Sequence, residues 1–150
     1  MSKPLSFFIA GIIQGSLPDS SHPQDYRGDI SRIIRSKFPK AEIFDPVAEY
    51  PDSLSYTDTE AEEAFFELMY RSGEYDVLIA FVPEASMGTA IELWRSHRAG
   101  SLVVTVGGLE RNWVVRYLSD RLLPDLSALQ AYFKSGELEA DFTRKRGKDD

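Results

Sequence analysis

The sequence predicts an α/β fold, a three-layer sandwich in which a parallel sheet of four or five strands lies between two layers of helices. Two patterns predict it: short apolar runs rich in β-branched and aromatic residues, and longer segments with apolar residues at helical spacing. They alternate along the chain, as is typical of parallel strands joined by right-handed helical crossovers. The length of 150 residues favours one domain, predicted over residues 1–142, with a frayed charged tail at 143–150.

The clearest predicted strand is YDVLIAFV at residues 75–82. Further strands are predicted at 5–13, 41–46 and 101–107, and weaker evidence places a fifth near 121–123. Continuous apolar runs such as LSFFIAGII are typical of strands buried on both faces of a parallel sheet. These strands therefore predict a flavodoxin-like or Rossmann-like arrangement.

Apolar residues at helical spacing predict five helices, at 24–38, 59–73, 87–100, 112–123 and 126–138. Between the second strand and the second helix, residues 47–59 are predicted to form a long polar loop, with Thr59 as a candidate helix cap. In the third helix, Met87, Ala90, Ile91 and Trp94 form an apolar stripe that is predicted to pack in the core.

The composition argues against several classes of function. The formal net charge is −7 and the sequence pI is near 4.9, which disfavours binding to a nucleic-acid polymer or an anionic membrane. The absence of cysteine excludes disulfides, thiolate metal sites and thiol catalysis, and it fits a cytoplasmic location. No apolar run approaches the roughly 20 residues that span a bilayer, so no membrane partner is predicted.

Several cofactor and catalytic fingerprints are missing from the sequence. No Gly-x-Gly-x-x-Gly follows the first strand, so no dinucleotide fingerprint is present, and no Gly-Lys-Ser/Thr indicates a P-loop. No Gly-x-Ser-x-Gly elbow indicates a serine hydrolase. His22 and His97 lie far apart and fit no metal-ligand pattern. We therefore predict neither a cofactor nor a metal.

Ligands of open α/β sheets bind beyond the carboxyl ends of the strands. Gly11, Gln14 and Gly15 follow the first strand, Asp45 follows the second, and the segment PEASMGT follows the third. Glycine or serine beside a helix start leaves backbone N–H groups free, and together with the helix dipole these favour anions. The alternative to ligand binding by Asp45 is a simple role as the turn residue before Pro46.

Two carboxylates are open to both a functional and a structural interpretation. Glu92 lies about one and a half turns inside the helix that follows PEASMGT, where the dipole would favour its ionised form. The structural alternative is that Glu92 lies on a solvent-exposed face of the helix and pairs with Arg95 or Ser96. Glu67 lies on an acidic stripe of its helix. The structural alternative to a catalytic role is a solvent-exposed ion pair with Arg71 at position i+4.

The segment YDVLIAFVPEASMGTAIELW resembles the nucleoside 2-deoxyribosyltransferase family, including its branch of deoxynucleoside 5′-monophosphate N-glycosidases. The family pattern is an Asp-Val or Asp-Ile strand, then Ser or Asp, any residue, Gly, and a Glu inside the following helix. The matching residues here are Asp76, Ser86, Gly88, Thr89 and Glu92. FFIAGIIQGS is similar to the family's first strand and loop.

The resemblance implies cleavage or transfer at the N-glycosidic bond of a nucleoside or nucleoside 5′-monophosphate. Glu92 would attack the anomeric carbon and form a covalent glycosyl-enzyme, which water or a second base resolves. Ser86 matches the monophosphate branch, and Glu67 is the candidate acid that protonates the leaving base. The other residues that would frame the sugar or phosphate are Gly11, Gln14, Gly15, Gly88 and Thr89.

The chain departs from the family at three positions, and at one of them, an Asp on the helix before the third strand, the nearest candidate is Glu67, one residue out of register. Phe7 stands where the family has an orienting tyrosine in the first strand, and Gln14 stands where the monophosphate branch has a basic residue. The missing tyrosine favours an alternative function, a nucleotide-binding or sensing module that keeps the pocket without the chemistry, and Gln14 removes a charge from phosphate binding. The resemblance also implies a homodimer or higher homo-oligomer, for which WVVRYL is a candidate interface.

Overall fold

The computed structural model describes residues 3–13 and 23–148 and contains one five-stranded sheet. All strand pairs are parallel, in the order β2-β1-β3-β4-β5. The strands are β1 (Ser6–Gly11), β2 (Glu42–Phe44), β3 (Val77–Phe81), β4 (Leu102–Val106) and β5 (Arg121–Leu123). The predicted α/β fold is confirmed, and so is the fifth strand.

The described helices are α1 (Asp25–Lys37), α2 (Pro46–Glu49), α3 (Asp58–Arg71), α4 (Met87–Arg98), α5 (Trp113–Leu118), α6 (Leu126–Ser135) and α7 (Glu137–Arg146), with a 3₁₀ turn at Ser53–Ser55. None of them is long and apolar enough to cross a membrane.

The helices form one layer on each face of the sheet, because successive side chains of a strand point to opposite faces. Phe7 and Ile9 of β1 belong to a core cluster shared with α1, α6 and α7. Phe8 and Ala10 belong to a second cluster, which packs against α3, α4 and α5. The sheet is therefore buried on both faces, as the continuous apolar strands predicted.

Three local predictions need correction. The helix predicted at 112–123 ends at Leu118, since the chain then pairs with β4 as β5. The predicted loop at 47–59 contains most of α2 and the 3₁₀ turn, and Thr57 rather than Thr59 caps α3 in a capping box with Glu60. β5 pairs with the open edge of β4, and α2 and the 3₁₀ turn satisfy backbone groups that an irregular loop would leave unpaired.

The predicted frayed tail at 143–150 also differs from the structure. Residues 143–146 continue α7. Lys145 donates to the Ser101 carbonyl and forms an ion pair with Asp120, and Arg146 forms one with Asp76. The basic residues that suggested a solvated tail are thus bound to acceptors near β3, β4 and β5.

Candidate functional site

The segment between β3 and α4 forms a capped helix start at the carboxyl edge of the sheet. Ser86 is the N-cap residue of α4, and its Oγ accepts a hydrogen bond from the backbone N–H of Thr89 at 3.3 Å. Gly88 follows in the first turn, and the space where its Cβ would lie is open. The small polar residues of PEASMGT therefore begin the helix next to accessible space.

Glu92 and Thr89 lie on one face of α4, three residues apart, and both side chains are buried. Glu92 is 7% exposed and Thr89 is 2% exposed. Glu92 Oε2 and Thr89 Oγ1 have no hydrogen-bond partner in the described part of the chain. Native proteins rarely leave two neighbouring buried polar atoms without partners, so both are suited to contact a ligand.

The interpretation that Glu92 lies on a solvent-exposed face of the helix is wrong, because its side chain is buried. Ser96, its suggested partner, donates instead to the Ser72 carbonyl at 2.6 Å. Arg95 lies on the exposed side of the helix, over the ring of Tyr70.

Burial raises the pKa of Glu92 from 4.5 to about 8, while the positive charge of Arg27 acts to lower it. The sequence had suggested that the helix N-terminus would keep this group ionised. The loss of hydration outweighs that effect, since burial disfavours the charged form. In the free protein Glu92 is therefore largely protonated at neutral pH.

Arg27 of α1 is the polar residue of this site that the sequence analysis missed. It is 2% exposed, and its guanidinium donates to the carbonyls of Ile9 and Gly11, to Gln24 Oε1 and to Asp45 Oδ1. A signal was present, because Arg27 lies on the same helical stripe as the buried Ile30 and Ile34. A charge on an apolar stripe indicates a buried, paired group or a functional one.

Tyr26 joins Arg27 at the carboxyl end of β1. Its hydroxyl donates weakly to the Ile12 carbonyl at 3.4 Å, and its ring stacks on Phe81 at 4.5 Å between centroids. The charge of Glu92 is among the influences that raise the Tyr26 pKa, after burial and Asp45. The charge of Glu92 therefore reaches Tyr26, although the two residues belong to opposite helical layers.

The candidate substrate-binding residue Gly11 has a packing reason to be glycine. A Cβ there would lie 2.1 Å from the Tyr26 hydroxyl, closer than real Cβ atoms approach any neighbour. The glycine thus allows Tyr26 to lie against the end of β1.

A cleft of about 250 Å³ opens at this edge of the sheet, between the ends of β1 and β3 and the start of α1. Glu92 is not among the described lining residues, although its charge acts on Tyr26. The lining residues are Ile12, Pro23, Asp25, Tyr26, Phe81 and Pro83. An apolar cleft beside a few buried polar groups is the usual form of a small-molecule site.

Asp45 caps α2 and also pairs with Arg27. Its Oδ1 accepts from the backbone N–H of Val47 at 3.0 Å and from Arg27 at 3.1 Å. Both of its roles in the described chain are therefore structural, and Asp45 connects to the site through Arg27.

Glu67 makes its described contacts away from Glu92. It accepts a hydrogen bond from the Tyr50 hydroxyl at 2.5 Å and pairs with Arg71 at 3.6 Å, and its side chain is 52% exposed. The partner that the sequence suggested at i+4 is present. The role of Glu67 as the acid for the leaving base stays a prediction.

Three further predicted positions have separate outcomes. Gln14 and Gly15 lie outside the described residues. Phe7 is fully buried, and its ring packs against Phe38 and Phe133 at 5.7 and 6.0 Å. Within residues 3–13 and 23–148, no group of three His, Asp or Glu side chains is placed to hold a metal ion.

The fold is similar to two solved structures of comparable length. The 2-deoxyribosyltransferase of the psychrotolerant bacterium Bacillus psychrosaccharolyticus matches with a TM-score of 0.64 and 13% identity, over 85% of this chain and 91% of that one. The chain has a nucleoside 2-deoxyribosyltransferase-like fold. A conserved protein of Enterococcus faecalis V583 matches with a TM-score of 0.61 and 16% identity, over 89% of this chain and 99% of that one.

At such low identity, this likeness concerns the fold and leaves the activity to be argued from the site. No protein-family profile matches the sequence, and no curated protein matches it either. The resemblance found in YDVLIAFVPEASMGTAIELW is thus confirmed at the level of the fold.

Proposed function

We propose that this chain binds a nucleoside or nucleoside 5′-monophosphate at the carboxyl edge of its sheet and cleaves or transfers the N-glycosidic bond. The observation that carries the proposal is that two buried atoms on one face of α4, Glu92 Oε2 and Thr89 Oγ1, have no hydrogen-bond partner in the described part of the chain. The similarity in fold to a 2-deoxyribosyltransferase supports the same class of substrate.

In the proposed reaction, an oxygen of ionised Glu92 forms a bond to C1′ of the sugar as the bond from C1′ to the base nitrogen breaks. The electron pair of the broken bond goes to the base, which takes up a proton. Water or a second base then attacks C1′ and releases Glu92 as a carboxylate. A carboxylate suits this work because the transition state carries positive charge on the sugar.

Arg27 has the supporting role of favouring ionised Glu92, since its charge lowers the pKa that burial raises. The Thr89 hydroxyl would hydrogen-bond the sugar. Ser86 and the free N–H groups at the start of α4 would hold a 5′-phosphate. Gly11, Gln14 and Gly15 would frame the sugar from the β1 side, and Glu67 would protonate the base.

A second candidate is a nucleotide-binding or sensing module that uses the same cleft without chemistry. Its support is the raised pKa of Glu92, which leaves the candidate nucleophile largely protonated in the free protein. Phe7, which lies in the core where the family has a tyrosine, supports it as well. The resemblance further implies a homo-oligomer, and the absence of cysteine fits a cytoplasmic location; both stay predictions.

The test is to incubate the protein with a panel of nucleosides and 5′-monophosphates and to measure free base by chromatography. We expect base release from at least one compound, and Glu92→Gln should lower it by about a thousandfold or more while ligand-induced thermal stabilisation remains. Glu63→Gln, an exposed carboxylate on α3, is the matched control and should keep the parent rate.

Native turnover by Glu92→Gln would show that the nucleophile is assigned wrongly. Thermal stabilisation by a nucleotide without any base release would favour the sensing module. No stabilisation and no release across the panel would contradict both candidates.

A further inference from the structure

Asp45 and Arg27 form an ion pair against the carboxyl end of β1. Arg27 Nη1 donates to Asp45 Oδ1 and to the Ile9 carbonyl, each at 3.1 Å, and Nη2 donates to the Gly11 carbonyl at 3.3 Å. Arg27 Nε donates to Gln24 Oε1 at 2.7 Å. The guanidinium is therefore fixed at the end of this strand, with Asp45 as its partner of opposite charge.

The Asp45 carboxylate is held in place from its other side as well. Its Oδ1 accepts from the Val47 backbone N–H at 3.0 Å and so caps α2. In the register of the sheet, Phe44 of β2 lies opposite Phe8 of β1, so Asp45 follows directly beside the last residues of β1. The side chain is 19% exposed. Asp45 thus has a defined position next to Arg27.

Glu92 reaches the same edge of the sheet from the opposite helical layer. The buried Thr89 and Glu92 lie in the first two turns of α4, which follows the carboxyl end of β3. α4 packs against both β1 and β3, and these strands are neighbours, with Gly11 opposite Phe81 at their carboxyl ends. Arg27 and Glu92 are therefore brought toward the carboxyl end of β1 from the two faces of the sheet.

The charges of these residues act on one another. Burial raises the pKa of Glu92, and the positive charge of Arg27 lowers it. Burial also raises the pKa of Tyr26 to about 12; the charge of Arg27 lowers it, and those of Asp45 and Glu92 raise it further. Charges in buried surroundings are weakly screened, so a change at one of them is felt by the others.

The other elements packed against α4 bring no second charge to Glu92 in the described part of the chain. β1, β3 and β4 contain no ionisable side chain. Arg71 of α3 pairs with Glu67. The other ionisable side chains of α3, α4 and α5 are exposed, Arg95, His97, Arg98 and Arg116 among them. The ionisation of Glu92 therefore depends on Arg27 and on what offsets the Arg27 charge.

We propose that Asp45 is a positioning residue for Glu92: it fixes Arg27 at the end of β1 and offsets part of its charge, so that the pair sets the pH at which Glu92 ionises. Removing the Asp45 charge would leave the Arg27 charge unopposed and favour ionised Glu92. Removing Arg27 would favour protonated Glu92. The two residues hold the same edge of the sheet and yet act on Glu92 in opposite directions.

This inference rests on the proposed function, in which Glu92 must be ionised to attack the sugar. It adds a role for Asp45, which the sequence analysis considered as a ligand-binding or turn residue. Asp45 would act through Arg27 and would not itself touch the substrate.

The first test is the titration of Glu92 in the protein without substrate. Glutamate carboxyl groups labelled with ¹³C are followed by NMR from about pH 5 to about pH 10, and the Glu92 signal is the one that Glu92→Gln removes. Asp45→Asn should lower the midpoint by about half a unit or more. Asparagine caps a helix as well as aspartate and keeps an acceptor oxygen for Arg27, so the substitution removes the charge and retains the contacts.

Glu49→Gln is the matched control, because it makes the same change in charge at an exposed position of α2. It should move the Glu92 midpoint by less than about 0.2 unit, since exposed charges are screened. Arg27→Gln should raise the midpoint by about one unit or more. If Arg27→Gln does not fold, Asp45→Asn and its control decide the outcome alone.

The pH profile of kcat/KM for base release reads the same ionisation in the reaction, because this parameter reports the free protein. The rising limb of the profile should move to lower pH in Asp45→Asn and to higher pH in Arg27→Gln. Glu49→Gln should keep the profile of the parent. A residue that only supports the fold would change stability without moving the limb.

An Asp45→Asn midpoint that rises, or that stays within about 0.2 unit of the parent, would overturn the inference and leave Asp45 as a cap of α2 alone. Equal shifts in Asp45→Asn and Glu49→Gln would overturn it too, because net charge would then explain both. If the midpoints move as expected while the parent releases no base from any compound, the proposed function fails and the coupling of Asp45 to Glu92 stands.

Discussion

Helices α1 and α4 lie on opposite faces of the sheet, and their polar and apolar residues are arranged in opposite ways. The buried polar residue of α1, Arg27, has an acceptor for each described donor, and the outer face of α1 is polar. Two of the three buried polar residues of α4, Glu92 and Thr89, each have an atom without a partner in the described part of the chain, and α4 exposes the large apolar side chains of Met87, Ile91 and Trp94. The difference indicates that the buried polar groups of α1 find their partners within one chain. The unpaired polar atoms and exposed apolar side chains of α4 are instead suited to contact another molecule.

The largest expected effect tests whether the α1 side is structural. Arg27→Met should lower the free energy of unfolding by about 5 kcal/mol, because it leaves Asp45 and two strand-end carbonyls without their donor. Urea denaturation followed by circular dichroism measures this change. Arg32→Met, an exposed arginine on the same helix, should change stability by less than about 0.5 kcal/mol. Equal effects of the two substitutions would show that Arg27 does not hold this edge of the sheet together.

The next effect tests the burial of Glu92 through the pH dependence of stability. The folded pKa of about 8 lies above the ordinary value of 4.5, so between these values the folded state keeps a proton that the unfolded state has lost. Stability therefore falls as pH rises through this window and levels off above it. Glu92→Gln removes the titrating group, so its stability relative to the parent should rise by about 4 kcal/mol between pH 5 and pH 9.

The measurement is urea denaturation of parent and variant at several pH values. Glu63→Gln is the control, and its difference from the parent should change by less than about 0.5 kcal/mol over the same range. A Glu92→Gln difference that does not vary with pH would mean that Glu92 is hydrated in the folded protein.

The smallest effect compares two buried threonines. Thr89→Val should leave stability unchanged or raise it by up to about 1 kcal/mol, because the hydroxyl has no partner to lose. Thr105→Val is the matched control: its Oγ1 is bonded to Ser119 Oγ at 2.6 Å, so it should cost about 1–2 kcal/mol. Thermal or urea unfolding measures both. Equal losses at the two positions would show that Thr89 is already satisfied within the fold.

The candidate site could be predicted from the sequence only in part. Ser86, Gly88, Thr89 and Glu92 follow a recognisable strand, and helical spacing places Thr89 and Glu92 on one face. Spacing alone could not decide whether that face points toward the sheet or toward solvent. Arg27 could not be assigned to the site, because its acceptors come from β1 and from Asp45, which the fold brings together.

The apolar stripe of α4 shows the limit of amphipathic patterns. Met87, Ile91 and Trp94 predicted the buried side of the helix, and that prediction is wrong, since all three are exposed. The helix instead packs on the sheet with Leu93 and buries polar groups beside it. An apolar stripe indicates a surface that is suited to contact, and it does not say whether the contact lies in the same chain.

The sequence by itself determined the strands, the α/β alternation and the position of the capped helix that carries Glu92, because local apolar periodicity, turn residues and caps act between neighbours in the chain. Only the tertiary structure decided that Glu92 is buried within reach of the charge of Arg27 and that Met87, Ile91 and Trp94 of α4 are exposed. Both depend on which elements pack together across the sheet, and burial, which sets the charge state of Glu92, belongs to that packing rather than to any segment alone.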